Sequence, residues 1–303
     1  MNVKMKGARI AFAVLVAALV AVAAYFGLAG ERGQLVVGGK DFDEQTIVGE
    51  MAAQLIEKKM RIRVERKFNL AVNLPCKLIR TGEIDLYLDY TGTGYMDILG
   101  VEYKGEPPQL IYEHVKKVYP DKFGVEWLSP LGFNNTYTLT MRRKHAEELG
   151  ITSISDLAGH PDLKAGFDPS FLDRADCYPG LKKRYGFEFD TAPRQLAIGI
   201  MYKACRDGDV DVIDAFATDG RIARFDLKVL VDDKRFFPPY DAAFNVRAAT
   251  LRKFPDLCGT LEALAGKLTD GEMQELNHAV SEGGRKAADV AREFLLKKGL
   301  LSK

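Results

Sequence analysis

From Leu35 onward, short apolar runs alternate with amphipathic stretches, and the alternation stops near Pro130 and begins again. A chain that switches its hydrophobic period between about 2 and about 3.6 residues in this way points to an α/β fold. Leu35-Val36-Val37 reads as a short strand ending at Gly38-Gly39. Glu44 to Lys59 follows as a helix, with Ile47, Met51, Leu55 and Ile56 on one face. Arg61 to Phe68 alternates through Ile62 and Val64 as a half-buried strand. Ile84 to Tyr90 is a further strand, stopped by Thr91-Gly92-Thr93-Gly94. This βαβ rhythm predicts largely parallel strands.

Past Pro130 the same grammar restarts. Tyr137 to Met141, Val210 to Ala215 and Lys228 to Val231 read as strands. Ser153 to Asp156 opens a helix, Pro193 to Cys205 forms a helix body, and Pro238-Pro239 breaks any regular element. Thr269-Asp270-Gly271-Glu272 has capping-box spacing, and Ala287 to Lys298 is a second amphipathic helix of the tail. Two α/β units joined near residue 135, with a return near residue 240, make two lobes with two crossings. Lobe I takes residues 34–135 plus 241–303, and lobe II takes residues 136–240. Ligands in such folds bind where strand ends face the crevice between lobes, so the loops after the strands are the places to search.

The first thirty residues differ. Lys4, Lys6 and Arg9 precede an apolar run from Ile10 to Leu28, and no acidic residue occurs before Glu31. This is the layout of a secretory signal peptide, with Ala29 and Gly30 near a cleavage point. The run also approaches the ~20 residues that span a bilayer, so an uncleaved N-terminal membrane anchor competes equally. Either reading exports the chain to the periplasm or cell surface. No cysteine follows the run to carry a lipid. The exported part has a net charge of about −2, because Lys4, Lys6, Arg9 and Arg32 are offset only by Glu31 among the residues removed. That balance argues against a nucleic-acid surface. Cys76, Cys177, Cys205 and Cys258 leave three disulfide pairings open. His114, His145, His160 and His278 have no metal-ligand spacing, and no cofactor or metal is expected.

Aromatic residues stand at several of the loop positions: Tyr90, Tyr137, Phe216 and Tyr240. Four such rings meeting in one cleft would hold a trimethylammonium group. The ring faces are negative, and that cation has no N–H to hydrogen-bond. Spacing alone favours the reading that these are core aromatics.

Five ordered motifs carry a family resemblance. Val37-Gly38-Gly39-Lys40-Asp41-Phe42-Asp43-Glu44-Gln45 resembles the opening "VGSKNFTEQ" of the glycine betaine/choline/carnitine-binding proteins of osmoprotectant ABC importers. The segment from Gly82 to Thr93 resembles their "GEIDLYPEYTGT", and Pro130 to Tyr137 is similar to "PLGFNNTY". Asp211 to Arg221 resembles "DVIDAYSTDGR", and Phe236 to Tyr240 is similar to "FFPPY". The resemblance implies a two-lobe periplasmic-binding-protein fold of type II, with the ligand cleft between lobes and two hinge crossings. It implies a cage of Tyr90, Tyr137 and Tyr240, with Phe216 where a tyrosine is usual. It further implies Lys40 and Arg174 as partners of a ligand carboxylate, Thr93 as a hydroxyl donor and Asn135 as a polar neighbour. Implied partners are a quaternary-ammonium small molecule and a membrane ABC permease, for a monomer that is not an enzyme. Asn69-Leu70-Ala71-Val72-Asn73 departs from the usual "NLGGT" by adding bulk at Ala71 and Val72. Two other readings remain open: a membrane-anchored osmolyte sensor, and an exported enzyme using Asp85, Asp89, Asp214 or Cys177. The enzyme lacks any recognisable histidine pairing, nucleophile elbow or metal signature.

Overall fold

The computed structural model describes residues 33–71, 73–173 and 177–302. The leader, Val72 and Arg174 lie outside the described residues. Strand β1 (Leu35–Lys40) is buried along almost its whole length, as an apolar run with neighbours on both sides must be. It pairs in parallel with β2 (Val64–Leu70) and β3 (Leu86–Tyr90), placing Val37 against Arg66 and Leu86. With β4 (Val125–Trp127) and β10 (Ala242–Arg247), these complete a five-stranded sheet in the order β2-β1-β3-β10-β4. The second sheet contains β5 (Tyr137–Arg142), β6 (Ala165–Phe167), β7 (Arg194–Gln195), β8 (Val212–Phe216) and β9 (Leu227–Val229). Its order is β7-β6-β8-β5-β9.

Neither sheet is as parallel as the rhythm predicts. β10 runs antiparallel to β3 and β4, and β5 runs antiparallel to β8 and β9. These are the two strands that enter each sheet straight from a crossing. Only parallel neighbours require a crossover connection, so a strand without one is free to enter antiparallel. Two helix expectations also shift. The helix expected from Glu44 is regular as α1 (Asp43–Leu55) and then widens into a π-turn over Ile56–Met60, ended by Arg61 at φ 57°. The stretch expected as one helix from Pro193 first pairs Arg194 and Gln195 with Gly166 and Phe167, and turns helical only at Ile198–Asp207. Strand pairing overrides the local preference there. Among the described residues, no cysteine is joined in a disulfide.

The second lobe adds the short helices α2 (Pro169–Asp173) and α3 (Gly220–Arg224). After β10 come α4 (Asp270–Ser281), opened by the expected Thr269/Glu272 capping box, and α5 (Ala287–Lys297). The first sheet's core gathers Val37, Ile47, Met51, Leu86, Phe244 and Phe294; the second gathers Leu139, Phe167, Phe171, Tyr178 and Phe189. The two crossings are tied to each other. Asn134 bridges Asp241, Asn135 N–H donates to the Tyr240 carbonyl at 3.1 Å, and the Thr136 hydroxyl donates to the Pro238 carbonyl at 2.9 Å. Helix α4 belongs to both halves, since it packs on α1 of the first and on α3 of the second. Among the described residues, no helix is long and apolar enough to cross a membrane.

Candidate functional site

The loops after β1, β3 and β8 meet the crossing that enters β5 between the sheets, since β5 runs antiparallel to β8 and sets Tyr137 opposite Phe216. At the first of them Phe42 occupies the N-cap of α1 in an extended conformation, and the acids Asp43 and Glu44 fill the first turn. Carboxylates suit that position because the helix N-terminus carries partial positive charge. Glu44 is buried and accepts four side-chain hydrogen bonds. Its Oε1 takes the Tyr90 hydroxyl at 2.5 Å and Asn135 Nδ2 at 3.1 Å. Its Oε2 takes the Thr218 hydroxyl at 2.6 Å and Asn277 Nδ2 at 3.2 Å. Tyr90 ends β3, Asn135 lies in a crossing, Thr218 follows β8 and Asn277 lies on α4, so one carboxyl gathers both lobes and the hinge. Burial pushes the Glu44 pKa up, and the four hydrogen bonds oppose that rise. Tyr90 is pushed well above the usual phenol value, first by burial and then by the Glu44 charge.

The aromatic residues expected in the cage fall into two groups. Tyr137 and Phe216 are opposite each other in the β5–β8 register, with ring centroids 4.7 Å apart, and Phe171 lies 5.9 Å from Tyr137. Tyr90 and Tyr240 belong to the first lobe and its hinge. Tyr240 packs against the core that contains Tyr90 and covers Gly92 so closely that an added Cβ would stand 2.9 Å from its ring. Its N–H donates to Asn134 Oδ1 at 2.7 Å.

The polar residues are divided too. Asn135 lines the cavity between the lobes. Thr93 opens a π-turn and is half-buried, away from the lining of that cavity. Lys40, expected to meet a ligand carboxylate, is paired within the protein. It is 3% exposed, and its Nζ lies 2.6 Å from Asp89 Oδ1, whose other oxygen accepts the Tyr87 hydroxyl at 2.7 Å. A buried ammonium loses too much solvation to stand without a counter-charge, and Asp89 supplies it. Arg174 lies outside the described residues. Ala71, where the sequence departs from the family pattern, is exposed and does not line the cavity.

The cavity itself measures 520 Å³, within the roughly 300–1,000 Å³ usual for small-molecule sites. Phe42, Asp43 and Glu44 contribute from the start of α1, Phe216 and Thr218 to Arg221 from the second lobe, and Asn277, Ser281 and Glu282 from the end of α4. Asp219 caps α3 by accepting Arg221 N–H at 2.9 Å and pairs with the Arg221 guanidinium through both carboxylate oxygens. Gly220 allows α4 to lie against this loop, since a Cβ there would meet His278 N at 2.4 Å and His278 Cα at 2.6 Å. Gln274 and Asn277 of α4 donate to the Ala217 and Thr218 carbonyls at 2.7 and 2.8 Å. Phe42, Glu44, Thr218 and Asn277 are absent from the residues expected from sequence. The first three sit inside motifs that carry the resemblance; Asn277 has no local signal at all.

Two lobes around a shared cavity, with an aromatic ring at its wall, are the architecture of a solute-binding protein. The family model for the substrate-binding domain of ABC-type glycine betaine transport systems matches residues 33–297, and the chain belongs to that family. It is 38% identical over 277 residues to an ergothioneine transport permease/ergothioneine binding protein of Helicobacter pylori, covering 89% of this chain but only 48% of that longer protein. It is 34% identical over 277 residues to a carnitine transport binding protein of Listeria monocytogenes, covering 89% of each. Among solved structures, one described as a glycine betaine/carnitine/choline ABC transporter superposes with a TM-score of 0.85 at 34% identity, covering 88% of this chain and 99% of that one. The chain is therefore a substrate-binding protein of the ABC type and not an enzyme.

Proposed function

We propose that this protein captures a quaternary-ammonium compound outside the cytoplasm and hands it to the permease of an ABC importer. Glycine betaine, choline and carnitine fit this chemistry, as does a bulkier betaine such as the ergothioneine named for the Helicobacter relative. The observation that carries the reading is the Tyr137–Phe216 pair, 4.7 Å apart, with Phe216 forming part of the wall of the cavity between the lobes. A trimethylammonium group is held by such faces at roughly 0.5–2 kcal/mol per ring once water is excluded. Tyr240, packed on the core that contains Tyr90, completes the cage from the hinge side when the lobes close. The carboxylate of a betaine falls to Arg174, whose planar fork suits bidentate pairing, with Thr93 as a hydroxyl donor. Closure turns about the crossings at Asn135 and Tyr240, and the closed form is what the permease recognises.

Calorimetric titration with glycine betaine, choline, carnitine and ergothioneine, with proline and arginine as controls, tests the reading. Micromolar or tighter binding of one quaternary compound, without binding of the controls, is expected. Silence across all four ends the cage proposal.

A further inference from the structure

Phe42 breaks two local rules at once. Helix N-caps favour Ser, Thr, Asp or Asn, whose side-chain oxygen accepts a first-turn N–H, and phenylalanine offers no acceptor. Phe42 caps α1 without any side-chain hydrogen bond and remains 37% exposed, an uncommon position for a large apolar ring. Local rules are broken most often where function requires it. Phe42 lines the 520 Å³ cavity that Phe216 lines from the other lobe.

Tyr90 is poorly placed to meet a cation from that cavity. It is only 5% exposed, its hydroxyl is held by Glu44, and Phe42 stacks over it at 6.4 Å with planes 19° apart. Lys40 Nζ already stands 5.2 Å from its ring centroid. The charge around Phe42 points the same way. Asp43, Glu44, Asp219 and Glu282 line the cavity, and the one cation among the described lining residues, Arg221, is tied to Asp219 and lies over the Tyr202 ring at 4.1 Å. A cation without N–H groups needs ring faces and surrounding negative potential, and both are present between Phe42 and Phe216.

We infer that Phe42 is the first lobe's wall of the ammonium compartment, facing Phe216, with Tyr90 behind it as support. The inference rests on the proposed function and adds a residue that determines its specificity.

The test uses the full protein. Wild type is titrated with glycine betaine, choline, carnitine and ergothioneine, and the tightest binder is carried to the variants Phe42→Ala, Phe42→Leu, Phe42→Tyr and Phe42→Ser. Phe42→Ala and Phe42→Leu are expected to lose affinity about tenfold, and Phe42→Tyr to stay within about threefold of wild type. Phe42→Ser, which supplies the missing cap, should bind as weakly as Phe42→Ala while melting no lower than wild type. Wild-type affinity in Phe42→Ala, or its full recovery in Phe42→Leu, overturns the inference and leaves the proposed function standing. A lowered melting point in Phe42→Ser, restored in Phe42→Leu, overturns it as well, because the ring would then be structural. Failure of wild type to bind any of the four compounds removes the proposed function itself, and is seen before any variant is made.

Discussion

Glu44 of the first lobe accepts a 2.6 Å hydrogen bond from the Thr218 hydroxyl of the second, and both groups are buried. The same carboxyl also holds Tyr90, Asn135 and Asn277, so it takes donors only. Glutamine at this position would turn an N–H₂ group toward two donors, leaving them unsatisfied at about 1–3 kcal/mol. Glu44→Gln is therefore expected to weaken ligand affinity about tenfold or more and to favour the open form. Calorimetry and small-angle scattering of the unliganded protein check this; unchanged affinity and radius of gyration would show that the carboxyl does not hold the lobes together.

Gly220 allows the closest approach of α4 to the second lobe. Its missing Cβ would fall 2.4 Å from a backbone nitrogen that has no side-chain freedom to yield. Gly220→Ala must push α4 away from the Ala217–Thr218 carbonyls and so loosens the Gln274 and Asn277 hydrogen bonds. Overpacking of this kind costs roughly 1–3 kcal/mol. A lowered melting temperature together with weaker binding is expected; thermal unfolding equal to wild type would mean that α4 rides freely on the second lobe.

How much of this was legible differs by residue. β1, β3 and β8 announce themselves because a strand buried on both faces reads as a mostly apolar run, even though Lys40, Asp89 and Asp214 each interrupt one of them. Tyr137 and Phe216 can be suspected from sequence since each stands at a strand end, but their 4.7 Å contact depends on antiparallel register that no local pattern encodes. The Lys40 ion pair is illegible for a related reason. Its partner Asp89 lies 49 positions away, and only pairing of β1 with β3 brings the two together. Asn277 is hidden more deeply, meeting Glu44 across 233 positions through a helix that looks, by its amphipathic pattern, like an ordinary surface element. Side chains that act through distant partners leave no periodicity to read.

Tyr137 and Arg174 separate the two ends of the ligand. Tyr137→Ala removes a ring packed on Phe216, Phe171 and Phe237, and should weaken every quaternary-ammonium ligand by at least about tenfold. Arg174→Ala should weaken glycine betaine and carnitine far more than choline, which has no carboxylate for a guanidinium fork. Equal losses for betaines and choline would rule out Arg174 as the carboxylate partner.

Asp214 gives the second lobe a pH dependence of definite sign. Asp168 N–H donates to its Oδ1 at 2.8 Å, and burial, with the Asp168 carboxyl beside it, pushes its pKa up to about 8. The folded protein therefore holds a proton that the unfolded chain releases near the ordinary carboxylate value. The resulting stabilisation is complete at acid pH and is lost as pH rises from about 4 toward about 8. Asp241 at the crossing, raised to about 6 by burial and the charge of Asp270, acts in the same direction but has finished titrating by neutral pH. Between pH 7 and pH 9 Asp214 still contributes to the slope, alongside other groups that burial raises, such as Glu44. Wild type is expected to lose more melting temperature over that interval than Asp214→Asn, whose amide keeps an acceptor for Asp168 N–H and does not titrate. Parallel pH profiles of the two proteins would show that Asp214 ionises in the folded state as readily as in the unfolded chain.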